Sequence, residues 1–213
     1  MRERCKEIFD IIINNCGSVA REYMQYGLDQ FIDEDDIKNI PVVNSIYATI
    51  KVPAALKDAF EMKKILHLCY FMKEIPKFER AKFVNKAVYE DKDFGEKLLL
   101  TISKIEDLDK IDMLVKIFRA YGHRDGIDYN TFRRLCLCLE KAYIEDLHYL
   151  QECIDSGKEY FSGEKMFNLV NVGLAAMTIL GSDNLLEDEI FQILPLGQTF
   201  YECVFTDKYK LIV

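Results

Sequence analysis

The chain is poor in turn-forming residues: four prolines and ten glycines in 213 residues. An all-β fold needs many tight turns, so this shortage argues for helices. Long apolar runs are also missing. The longest uncharged stretch, Met166 to Ser182, has 17 residues and includes two Asn, Thr, Ser and two Gly. That is too short and too polar for a membrane span. No apolar core of a signal peptide follows the mixed first ten residues, so the reading is of a cytoplasmic protein.

Net positive charge is absent as well. The formal charge is −8, which disfavours general nucleic-acid binding, because neutralising phosphates needs clustered Lys and Arg. The balance is uneven: residues 1–50 hold 5 basic and 9 acidic side chains, residues 51–90 hold 9 and 5. The seven cysteines (Cys5, Cys16, Cys69, Cys136, Cys138, Cys153, Cys203) are odd in number and mostly occupy apolar helical positions. Buried free thiols in a reducing compartment explain them better than disulfides do.

What is present is apolar spacing with the pitch of packed helices. Cys5, Ile8, Phe9, Ile12, Ile13 and Cys16 predict a first amphipathic helix, and Asp33-Glu34-Asp35-Asp36 reads as a solvated acidic cluster. Pro41 opens a helical stretch that Pro53 interrupts. The run Ile65 to Met72 is apolar nearly all round, and His67 within it reads as a core histidine. Further helices are expected at about 77–89, 93–105, 108–121, 129–141 and 143–154. After residue 156 the texture changes. "KEYFS" has strand composition, Ser162 is placed to cap a helix Gly163–Val172, "GLAAMTIL" and "IFQIL" read as strands around an acidic tip, and "PLGQTFYECVF" closes as a helix. The fold class is therefore mainly α, with a helical bundle over 1–155 and a small α+β module with a wing-like β-hairpin over 156–213.

Two motifs invite a chemical reading. Asp93-Phe94-Gly95 and His123-Arg124-Asp125, the latter followed at the right interval by Asn130, resemble protein-kinase triplets. They stand in the reverse order, and no G-x-G-x-x-G loop accompanies them. Local physics explains both: Gly122 and Gly126 bracket a helix–helix turn, Asp128 caps the next helix, and Asp91 or Asp93 starts another. Read as a calcium loop, the same stretch puts Tyr121 and Phe132 where oxygen ligands are required. Cys136 and Cys138 point to different faces of a helix, and His67, His123 and His148 have no partners at ligand spacing. Neither a catalytic set nor a metal or cofactor site emerges, and the chain is not expected to be an enzyme.

Leu169-Val170-Asn171-Val172-Gly173-Leu174 and Leu194-Pro195-Leu196-Gly197 resemble the end of a winged helix, in which a recognition helix, a wing and a closing helix follow one another. The resemblance covers the last quarter of the chain and implies a truncated module, since one helix lies between "EYF" and Gly173. Glu164, Lys165, Asn168 and Asn171 are the polar side chains of the corresponding recognition helix. With Asp183, Glu187, Asp188 and Glu189 in the wing and 8 acidic against 4 basic residues from 156 onward, a duplex would be repelled. The layout is also similar to that of bacterial proteins from mobile-element and prophage regions.

These observations predict a non-enzymatic protein-interaction or regulatory domain, with a protein partner or a second copy of itself. Two alternatives rest on other residues. Arg119, Arg124, Arg133 and Arg134 lie close around one turn and form a candidate anion or nucleic-acid contact. Residues 41–72, with Lys51, Lys57, Lys63 and Lys64, form a candidate membrane-surface segment. A solvated face and a buried helix pair, respectively, are the simpler readings of both.

Overall fold

The computed structural model describes Lys64, His67, Leu68, residues 75–178 and residues 190–209. The first helices, the acidic cluster at 33–36, most of the 41–72 segment and the acidic tip between the strands lie outside the described residues. The chain divides into two compact units, Met1–Lys104 and Ile105–Val213. The change of texture at residue 156 falls inside the second.

In the first unit, α1 (Lys77–Glu90) begins after Pro76 and α2 (Phe94–Lys104) follows a three-residue turn. Asp91 shapes that turn. Its carboxylate accepts the Asp93 amide at 3.0 Å and pairs with Lys97 at 2.5 Å, while its carbonyl accepts the Phe94 amide at 3.1 Å. Phe83 and Phe94 meet edge to face, centroids 5.8 Å apart, among buried Ala87, Leu98 and Ile102. Lys64 is buried, and its Nζ donates to the Ser103 carbonyl at 3.0 Å. That side chain is spent on the last turn of α2. The other three lysines of the candidate membrane-surface segment lie outside the described residues. His67 is helical and half-buried.

The second unit is built around α3 (Asp109–Gly122), whose Ile111, Leu114, Val115, Ile117, Phe118, Ala120 and Tyr121 are all buried. Apolar positions on nearly every side mark a helix covered by several neighbours. One is α4 (Tyr129–Lys141), antiparallel across a six-residue turn. Phe132 of α4 stacks against Phe118 at 5.3 Å and lies 5.0 Å from Tyr121. Gly126 is required in the turn: a Cβ there would stand 1.8 Å from the Ala120 carbonyl oxygen. The other end of the pair is fastened by Lys110, buried in the first turn of α3, whose Nζ donates to the Ala142 carbonyl at the end of α4. Burial pulls its pKa below the ordinary lysine value.

Next come α5 (Ile144–Asp155), α6 (Glu164–Asn171), strands β1 (Ala175–Thr178) and β2 (Ile190–Ile193), and α7 (Pro195–Val204). The strands pair antiparallel with Ala175 opposite Ile193 and Met177 opposite Phe191. The "KEYFS" strand shrinks to one bridge. Phe161 exchanges both backbone bonds with Phe191, at 3.0 and 2.9 Å, so β2 lies between Phe161 and β1. Ser162 does not cap α6; Gly163, at φ 113°, occupies that position. The closing helix docks through Gly197, where a Cβ would come within 2.3 Å of the Leu174 carbonyl oxygen. Leu174 also receives the Leu194 amide at 3.0 Å. Phe200, Cys203 and Val204 face the interior as expected, and α7 packs on α3, α5 and β2. The fold is mainly α with one small β-hairpin.

Candidate interaction surface

Helix α4 owes its start to Asp128, whose carboxylate accepts the Thr131 amide and hydroxyl, both at 2.9 Å. Those bonds hold its pKa below the usual carboxylate value. Phe132, Leu135, Cys136 and Leu139 recur at helical spacing and turn inward. The opposite arc carries Asn130, Arg133, Arg134, Leu137 and Lys141, all exposed. Leu137 sits four residues after Arg133, three after Arg134 and four before Lys141, and these are the spacings at which helical side chains are neighbours. One leucine, 47% exposed, therefore stands among three cations.

None of those cations is matched by a carboxylate among the described residues, nor is Arg124. This differs from Lys97, Lys116 and Lys208, each of which holds an acidic partner. Arg124 is exposed on the turn before α4. Arg119 is separated from the others by its environment. It is half-buried in the last turn of α3, and its Nε is buried without a hydrogen-bond partner among the described residues. Of the four arginines singled out from the sequence, the structure places Arg133 and Arg134 on one face, Arg124 on the adjoining turn and Arg119 partly inside. Leu137 and Lys141 were missed. Their signal was available, because Leu137 is the one apolar residue on an otherwise polar arc.

No family model, curated protein or solved structure matches this chain. The site is thus argued from its own residues.

Helix α6, the counterpart of a recognition helix in the winged-helix comparison, has spent two of its four polar side chains. Lys165 lies over the Tyr149 ring of α5, 5.3 Å from its centroid, and Asn168 stands close enough to the Asp146 carboxyl to pull its pKa down. Asp146 is buried on α5, and its Oδ2 has no hydrogen-bond partner among the described residues. Desolvation pushes its pKa up, against the opposing pull of Asn168 and nearby Lys165. Phe167 is 38% exposed but meets the buried Phe191 ring at 4.8 Å, where Met177 also lies opposite across the strands. Both serve as a lid over the unit's own core.

Thiol chemistry finds no support in the described cysteines. Cys136, Cys138, Cys153 and Cys203 are free and buried. Burial pushes Cys138 up to about 11 and Cys203 to about 12, and lifts Cys136 further still. Such thiols are not nucleophilic thiolates near neutrality. The Cys138 thiol instead donates to the Val172 carbonyl at the end of α6, 3.0 Å away. His123 accepts the Asp125 amide at 3.2 Å and leans on Tyr209, so the kinase-like triplet is occupied with turn geometry. Among the described residues no group of three His, Cys, Asp or Glu side chains could hold a metal ion, and no helix is long and apolar enough to cross a membrane.

Proposed function

We propose that the chain is a non-catalytic protein-interaction or regulatory domain that engages its partner through the outer face of α4. The observation carrying this reading is the solvent-exposed Leu137 ringed by Arg133, Arg134 and Lys141, none of them matched by a carboxylate among the described residues. Arginine is enriched at protein interfaces, whose water-excluded apolar core is ringed by a polar rim. The face is rigidly presented, because the reverse side of α4 is packed on α3 and its first turn is capped. The free buried thiols support a reducing, cytoplasmic setting.

Nucleic-acid binding would use the same arginines. Three features weigh against it: the charge of −8, the leucine in the middle of the basic face, and the engagement of Lys165 and Asn168 within the protein. The wing-like segment then serves as packing, closing the core through Phe191 and Gly197. The test is affinity capture by the intact chain from nuclease-treated extract, alongside the Arg133→Glu/Arg134→Glu double variant. Proteins captured by the native chain and lost with the double variant are expected. Equal capture by both removes α4 from the account, and capture that depends on nucleic acid favours the alternative.

A further inference from the structure

From the same face we infer the chemistry of the partner: an acidic protein segment that carries an apolar side chain for Leu137. This inference rests on the interaction reading above and deepens it. The charge argument is local. Arg133, Arg134 and Lys141 are exposed and unmatched by carboxylates among the described residues, and all stand within one helical turn of Leu137. The acidic group on this side of the helix, Glu140, is half-buried and already holds an interaction of its own. Asn130, the remaining exposed neighbour, is neutral. In a chain of net charge −8, such a cationic face stands out from the rest of the molecule and draws in a complementary acidic surface.

Leucine at the centre decides among anionic partners. A duplex phosphate backbone offers nothing to an apolar side chain, so backbone binding there would leave Leu137 in contact with polar groups. A lipid surface needs a broad apolar face to enter the headgroup region. Helix α4 exposes one large apolar residue, half-buries Tyr129, and buries Phe132, Leu135, Cys136, Cys138 and Leu139 in its own unit. A peptide that alternates carboxylates with leucine-like residues satisfies both requirements. Its charges meet the rim while its apolar group and Leu137 exclude water from one another.

Fluorescence anisotropy on the intact chain tests this with a labelled synthetic peptide of Glu, Asp and Leu. It is compared with the same peptide carrying Ser for Leu, with a Lys-for-acid counterpart, and with a single-stranded oligonucleotide of equal charge. The Glu/Asp/Leu peptide is expected to bind, about tenfold more tightly than the Ser version and more tightly than the oligonucleotide. The Lys peptide is expected not to bind. Both Arg134→Glu and Leu137→Ser should weaken binding at least as much, with circular dichroism unchanged because both positions are exposed. Failure of the acidic peptide to bind, indifference to either variant, or a tighter oligonucleotide overturns the inference. If the double variant loses its captured proteins while the acidic peptide fails to bind, the partner chemistry is wrong and the interaction role stands. If capture itself is unaffected, the role falls too.

Discussion

Asp128 and Asp146 are two carboxylates of one unit whose surroundings push them in opposite directions. Thr131 supplies Asp128 with two donors, which favour the charged form. Its folded pKa lies below the ordinary 3.8, so its contribution is complete above that value and fades as the pH falls below it. Asp128→Ala should cost about 1 kcal/mol at neutral pH, and the difference from the native chain should shrink in acid, as read from urea unfolding. Asp146 has the reverse sign. Desolvation outweighs Asn168 and Lys165, with Glu145 adding repulsion, so the folded state holds its proton more firmly than the unfolded chain. Stability from this group is present below 3.8 and is lost as the pH rises through the folded value. Asp146→Asn keeps the shape and removes the buried charge. It should raise stability by on the order of 1 kcal/mol at neutral pH and flatten the profile above the ordinary carboxylate value of 3.8; a loss of stability there would show that Lys165 wins.

At the scale of elements, the two close approaches set the geometry. Gly126→Ala drives a methyl group into the Ala120 carbonyl, and backbone cannot swing aside as a side chain can. About 3 kcal/mol of stability should be lost, measured by thermal or urea unfolding. Gly197→Ala meets both the Leu174 carbonyl and the Ile193 side chain, the latter at 2.8 Å, and should loosen α7 from the strands. Faster hydrogen exchange over 195–204 than over 129–141 is the expected signature.

Most of this layer was legible in the sequence. Helix periods, the Asp128 cap and the Gly126 turn are local, and the described helices fall within a residue or two of where spacing predicts them. What local pattern could not show was tertiary. Phe161 contributes a single bridge because only Phe191 lies opposite it, and Gly163 replaces Ser162 as the cap of α6. The burial of Lys64 depends on a carbonyl 39 residues away. The arginines of the candidate site stood out by clustering, and Leu137 lay on the arc opposite Phe132, Leu135 and Leu139, but the partial burial of Arg119 required knowing what covers the end of α3.

At the scale of the whole molecule, Ile105–Val213 joins three helices of the expected bundle to the hairpin and its flanking helices. Helix α3 runs through the middle, and α4 and α7 pack against it. This leaves the outer arc of α4 on the surface with its cations unmatched by carboxylates among the described residues, while Phe167 and Met177 cover Phe191. Binding through α4 should weaken steeply as salt rises, since its rim is ionic and exposed. Hydroxyl-radical footprinting of the intact chain, free and with its captured partner, compares the exposed Leu137 with the exposed Met177 directly. The account predicts that Leu137 loses reactivity on binding while Met177, 52% exposed in the free protein, stays reactive. Protection of Met177 and Phe167 with Leu137 unchanged would contradict it.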